Sequence, residues 1–286
     1  MQIIKRIVYL FVFISLPFCN AFGQVDTSAK IILKGKIVTA SSNAPIPYAN
    51  IGIPAGECGT VANNDGNFIL SVPATLANNN VRISSVGYVS KIVTVNELVK
   101  QLIGQPVIAL VQQDKQLNEV TISAKKPKIR IVGNTTKSKS LSVGFPLKDL
   151  GSEMGVKISL GKKLELLQAF NFTVAQMKMD SCTFRFNIYE LKDDQPAENL
   201  FSQNILIGIS KPGTYTINLK PYKLVMKEHI FISLEWIDGK TASNTGNLFF
   251  SASLFGSCYH RKTTEAKWIA FPGLGTGFNL QVEQAE

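Results

Sequence analysis

Two histidines, His229 and His260, are the only side chains here whose unperturbed pKa falls near neutrality. Neither stands at a spacing from another His or a Cys pair that would close a tetrahedral zinc site. Cys258-Tyr-His260 supplies two donors of the four required. Nucleophilic catalysis needs an activated Ser or Cys beside a base. Cys58, in Gly56-Glu-Cys-Gly59, with His229 or His260 far along the chain is one such combination, and no local signature supports it. A G-x-S-x-G elbow is absent from the sequence. Asp193, Asp194 and Glu198 gather in one loop and Asn63-Asn-Asp65 in another, and such oxygen ligands suit calcium. There is no D-x-D-x-D-G loop, and Gly66 follows Asp65 where a turn requires it. Gly273-Leu-Gly-Thr-Gly277 lies between strand-like runs, whereas a phosphate cradle needs a strand-to-helix turn. Carboxylate pairs for glycoside hydrolysis can be distant in sequence, and nothing singles one out. Tyr189, Tyr222, Phe231 and Tyr259 fall opposite the expected core faces or in loops. Their rings can stack on sugars, though packing accounts for each as well. No residue is therefore assigned as catalytic, cofactor-binding or metal-ligating.

The elements that would position these groups are strands. Ile31–Val38, Tyr48–Ile53, Phe68–Val72, Val81–Ser85, Lys91–Val95 and Val107–Leu110 are short runs separated by Gly, Pro or Asn clusters. Asn63-Asn-Asp-Gly66 is a dense turn signal that feeds Phe68, Leu70 and Val72 onto one face. Asn96–Leu102 has room for one or two helical turns. In the second half, Cys182, Phe184, Phe186 and Ile188 oppose Thr183, Arg185 and Asn187. Ile230, Ile232, Leu234 and Trp236 oppose Ser233 and Glu235, while Leu164, Leu166, Phe170, Phe172 and Val174 share a face. Strict alternation predicts one buried and one wet face, hence antiparallel sheets. Leu248–Leu254, Trp268–Phe271 and Phe278–Val282 add further strands, and Lys211-Pro-Gly213 and Asp238-Gly239 mark hairpins.

The ordered set Gly35–Val38, Pro47-Tyr-Ala-Asn-Ile51, Gly59–Phe68 and Ser84-Ser-Val-Gly-Tyr88 resembles the carboxypeptidase regulatory-like domain. Leu117-Asn-Glu-Val-Thr-Ile122 is similar to the exit segment that follows it in envelope proteins of the Bacteroidota. The likeness covers about residues 31–122, and the Ala62-Asn63 step departs from the usual Thr or Ser. It implies a non-catalytic, seven-stranded, transthyretin-like β-sandwich. The second half is similar in style to the jelly rolls that follow this module, and more weakly to carbohydrate-binding jelly rolls.

Met1–Gly23 has the make-up of a secretory signal. Lys5 and Arg6 precede an apolar run over Ile7–Leu16, with Ala21-Phe-Gly23 small at the cleavage positions. Bulky Phe18 before Cys19 disfavours lipoprotein processing. Subtracting Lys5 and Arg6 from the formal +10 leaves +8 on the remainder, since residues 1–23 hold no acid. That balance suits anionic envelope surfaces such as lipopolysaccharide or acidic glycan, and export argues against nucleic acid. Cys58, Cys182 and Cys258 are an odd number, which excludes a disulfide framework and leaves Cys182 with Cys258 as the candidate pair.

The expected fold is all-β: a carboxypeptidase regulatory-like sandwich over 31–111, a basic linker over 112–140 in which Ile129–Val132 can pair as an edge strand, and a C-terminal antiparallel β-sandwich or jelly roll over 141–286. The expected function is that of a non-enzymatic exported cell-envelope protein, periplasmic, outer-membrane-associated or at the cell surface, with peripheral membrane association open. Its first module is a spacer or docking unit, its second binds protein or glycan, and no cofactor is implied. The alternative is a glycan- or cell-wall-degrading hydrolase with carboxylates on the C-terminal domain.

Overall fold

The computed structural model describes residues 29–113, 128–147, 149–201, 203–240 and 246–284. The expected signal at 1–23 and the exit segment Leu117–Ile122 lie outside them.

The first domain runs β1 (Lys30–Thr39), β2 (Asn50–Gly52), β3 (Gly59–Val61), β4 (Asn67–Pro73), β5 (Asn80–Ser84), β6 (Lys91–Thr94), α1 (Val95–Gly104) and β7 (Val107–Leu110). Two sheets form, in the orders β4-β1-β7 and β3-β2-β5-β6. Leu33, Ile37, Phe68, Leu70, Val72 and Ile108 from the first meet Ile51, Val81 and Ile83 from the second in one core. The alternation of Phe68, Leu70 and Val72 is thus the inward face of β4. The Asn63–Gly66 turn explains how β4 begins. Asn63 Oδ1 accepts from the Asp65 amide at 3.0 Å and the Asn67 amide at 2.9 Å. Gly66 adopts φ +76°, and a Cβ there would stand 2.5 Å from the Ile37 carbonyl, so only glycine closes the turn. Helix α1 starts from a capping box between Thr94 and Glu97 and buries Val95 and Leu98.

The second domain contains β8 (Ile129–Gly133), β9 (Ser142–Leu147), β10 (Glu153–Lys178), β11 (Ser181–Lys192), β12 (Gln195–Asn199), β13 (Ile205–Ile209), β14 (Gly213–Asn218), β15 (Val225–Lys240), β16 (Gly246–Arg261), β17 (Ile269–Thr276) and β18 (Phe278–Gln284). Its sheet begins at β8, inside the stretch read from sequence as linker, where Ile129–Gly133 pairs antiparallel with β18. The axis of the domain is β10. Its first part pairs with β15 and the end of β16, its middle with β14 and β18, and its last residues with the start of β16, so one strand ties the whole sheet together. The core of the domain is aromatic. Phe170 stacks on Phe186 at 4.6 Å, and Phe250 meets Phe278 edge-on at 5.0 Å.

Three expectations from the sequence need correction. Leu164 does not join Leu166 and Phe170 inside: the β10–β15 register breaks between Gly161 and Glu165, and Leu164 is 42% exposed. Cys182 and Cys258 are both buried and free, apolar constituents of the core rather than a disulfide. Most consequential, the face carrying Arg185, Asn187, Ser233 and Glu235 is not wet. All four side chains are buried, because this face turns toward the first domain.

Candidate functional site

Strands β11, β15, β10 and β16 lie side by side, and their register places four charged residues in one row. Arg185 pairs with Glu235, Glu235 with Glu153, and Glu153 with Arg261. The row reads plus, minus, minus, plus across the sheet. Adjacent Cβ atoms in such a row are about 5 Å apart, close enough for direct ion pairing. Arg185 donates through Nε and Nη2 to Glu235 Oε2 at 3.0 and 2.6 Å. Arg261 Nη2 stands 2.5 Å from Glu153 Oε2. Asn187 Nδ2 joins the halves, donating to Glu153 at 2.9 Å and Glu235 at 3.0 Å. Ser233 and Tyr189 also donate to Glu153.

Burial sets the electrostatics. Burial raises Glu153, and the nearby Arg261 guanidinium opposes that rise. Glu235 meets the same burial penalty, but the Arg185 and Arg261 guanidiniums outweigh it and hold its carboxyl below the ordinary value. Burial also pushes the Tyr189 hydroxyl well above its usual range, so it serves as a neutral donor. Two buried polar atoms in the row have no hydrogen-bond partner among the described residues: Glu235 Oε1, which has only the Arg261 Nη2 charge at 3.9 Å, and Arg261 Nε.

The row also joins the domains. Arg185 Nη1 donates to the Tyr48 carbonyl at 2.8 Å, and Nη2 to Asn50 Oδ1 at 2.6 Å. A second contact comes from the loop after β16. The Ala55 amide donates to the Glu265 carbonyl at 2.8 Å, and the Glu265 carboxylate accepts from Arg82 at 3.2 Å. Gly52 and Gly59 make the approach possible. A Cβ at Gly59 would lie 2.5 Å from the Thr264 carbonyl oxygen, and one at Gly52 2.8 Å from the same atom. Gly59, the first residue of the sequence motif, is thus a docking residue as well as a strand residue.

Between these contacts a cleft of about 470 Å³ opens, with walls from both domains. Arg82 and Tyr88 border it on one side, and Tyr189, Glu198, Arg261 and Trp268 on the other. The Arg261 guanidinium lies 5.0 Å from the Trp268 ring centre, a cation–π contact, and Phe231 packs edge-on to the same indole at 4.8 Å. The lining is rich in hydrogen-bond donors and carries aromatic rings, the composition of a site for a polar, ring-bearing ligand.

The residues weighed from sequence are scattered relative to this cleft. His229 is exposed and shares a 3.0 Å hydrogen bond with Ser159, and His260 is half-buried on β16; neither borders it. Cys58 lies at the domain junction, its thiol raised by burial and by Glu57. Asn63 and Asp65 shape their turn. Asp193 and Asp194 take left-handed backbone in the β11–β12 hairpin, where Asp194 pairs with Lys157, while Glu198 lines the cleft. Gly273–Thr276 belongs to β17. Tyr189, Phe231 and Tyr259, placed on the wet side by alternation, are buried together under Trp268 and Leu191, and Tyr222 is half-buried against the main core. The sequence reading missed Arg82, Glu153, Arg185, Glu235, Arg261 and Trp268. Arg185 and Glu235 are visible in sequence as opposite charges at mid-strand, but a solvated face accounts for such a cross-strand pair equally well, so no sequence signal marks the site.

Residues 33–122 match the model of the CarboxypepD_reg-like domain. The first domain is therefore a CarboxypepD_reg-like domain, a non-catalytic β-sandwich, and the match stops before the second sandwich begins at β8. No curated protein matches the chain. A solved structure of infectious bursal disease virus, Gx strain, aligns over 90% of this chain and 79% of its own, at 10% identity and a TM-score of 0.20. At that score the likeness carries no argument.

Proposed function

We propose that this chain is a non-enzymatic, exported cell-envelope binding protein whose ligand site is the cleft between its two domains. The CarboxypepD_reg-like domain is the docking unit and supplies one wall. The C-terminal sandwich supplies the floor and the Trp268–Arg261 stack. Of the two partner classes open from sequence, the lining favours a glycan: an indole for the apolar face of a sugar ring, and Arg82, Tyr88 and Arg261 for its oxygens. The observation that carries this reading is the cleft itself, built from both domains and lined by a cation-backed tryptophan. Export rests on the signal-like residues Lys5 to Gly23.

One observation favours the hydrolase alternative. Glu153 and Glu235 share the Asn187 amide nitrogen as donor, so their carboxylates lie within about 6 Å, close to the separation in retaining glycosidases. Separation is not sufficient. Both side chains are fully buried, both are held by arginine, and neither borders the cleft. A general acid must reach the leaving oxygen, directly or through one water.

A glycan array probed with the purified protein, beside a reducing-end assay on the glycans it retains, tests both readings. The proposal expects retention without turnover, lost in Trp268→Ala. Turnover abolished by Glu153→Gln would replace it with the hydrolase.

A further inference from the structure

The pairing of β10 with β15 breaks most widely between Gly161 and Glu165, and no residue of that segment lines the cleft. The pairing runs through Gly161 opposite Glu228 and resumes at Glu165 opposite Met226. Three residues, Lys162, Lys163 and Leu164, therefore stand against the single Lys227. A bulge of this kind re-aims side chains out of the sheet, and here residues 161–164 are all exposed. The backbone prepares for it: Gly161 takes φ +106°, and among the described residues other than its chain neighbours only the Arg130 guanidinium, at 4.0 Å, comes near its Cβ position.

Arg130 braces the base of the bulge. It bonds the Leu160 carbonyl and pairs with Glu165 at 2.8 Å, which neutralises the one acid on the bulge's own strand segment. Across the bulge, Glu228 is matched by Lys227 at 3.5 Å. The third nearby acid, Glu283, accepts from Gln168. Lys128, Lys162 and Lys163 have no acid partner among the described residues. Alongside, β8 turns Ile129 and Ile131 outward, 49% and 60% exposed, and Leu164 is 42% exposed. Unmatched lysines and outward aliphatic side chains thus crowd one end of the sandwich.

We propose that this end docks the protein on an anionic phospholipid surface. The lysine ammonium groups meet headgroup phosphates, and Leu164 and Ile129 sink shallowly into the interface. Charge complementarity identifies the partner. A free anion has no use for the exposed isoleucines, and a protein partner for such a tip needs acids to match at least three lysines while burying aliphatic groups with no pocket around them. The inference is independent of the cleft ligand.

Flotation of the purified protein with phosphatidylglycerol-containing vesicles, against pure phosphatidylcholine vesicles, tests it. Binding to the anionic vesicles alone is expected, and it weakens as salt is raised. At roughly fivefold per lysine near the surface, Lys162→Ala/Lys163→Ala lowers partitioning roughly 30-fold. Leu164→Ser lowers it less, and Trp268→Ala leaves it unchanged. These positions are exposed, and an unchanged urea midpoint confirms that the variants fold. Equal binding to both vesicle types, no binding to either, or undiminished binding by the double lysine variant would overturn the proposal.

Discussion

Arg185→Met is the most informative single perturbation of the domain junction. The arginine is fully buried, and it bonds Glu235 from its own domain and Tyr48 and Asn50 from the other. Methionine fills much of the same volume but supplies no donor. Glu235 is then left with Arg261 Nη2 at 3.9 Å as its nearest cation. Removing one partner of a buried ion pair costs about 3–5 kcal/mol, because the survivor stays desolvated. The Tyr48 carbonyl and the Asn50 amide add a further penalty of about 1 kcal/mol, moderated if the domains part and water enters. The expected loss is about 4–6 kcal/mol, a large share of the roughly 5–15 kcal/mol of a typical fold. Arg185→Met/Glu235→Leu recovers most of it, since an apolar pair of similar volume replaces a buried ion pair with little loss. Urea unfolding followed by Trp236 and Trp268 fluorescence reads both values from the midpoints. A loss under about 1 kcal/mol for the single variant, or a double variant no more stable than the single, would refute the account of Arg185 as a paired, domain-bridging charge.

The remaining predictions concern the same junction and the core. Gly59→Val places side-chain atoms against the Thr264 carbonyl, so the Ala55 amide, which donates to Glu265, exchanges faster with solvent while the amides of β4 do not. His260 is held below its ordinary pKa of 6.5 by burial. The unfolded chain therefore takes up this proton first, so stability is lost as pH falls below 6.5 toward the folded value, and His260→Gln flattens that limb of a urea-midpoint profile. Burial pushes the Cys182 thiol up to about 12 and also raises Cys258. The Cys58 thiol is raised as well, so access decides: a thiol reagent should label half-buried Cys58 in the native protein, and the two core cysteines only after unfolding.

The sequence was legible where local rules act alone. Asn63–Gly66 reads as a turn because asparagine bonds its own backbone and Gly66 tolerates positive φ, and both are seen. Phe184, Phe186 and Leu234 read as core because alternation on one strand is a local pattern. The site was not legible, for a physical reason. Period-two alternation assigns a side chain to a face, but not what covers that face. Arg185 and Glu235 pair across strands 50 residues apart, and the first domain seals them. The same limit hid the burial of Tyr189, Phe231 and Tyr259. Leu164 was misplaced for a different reason: a bulge resets the alternation, and Gly161 marks it only weakly in sequence.

The central claim, a ligand site shared by the two domains, is tested most directly by hydrogen exchange of the purified protein with and without a glycan it retains on an array. Protection is expected together in residues 82–90 of the first domain and in residues 196–199 and 265–268 of the second, which line opposite walls of the cleft. Protection confined to one domain, or falling on segments away from the cleft, would contradict it.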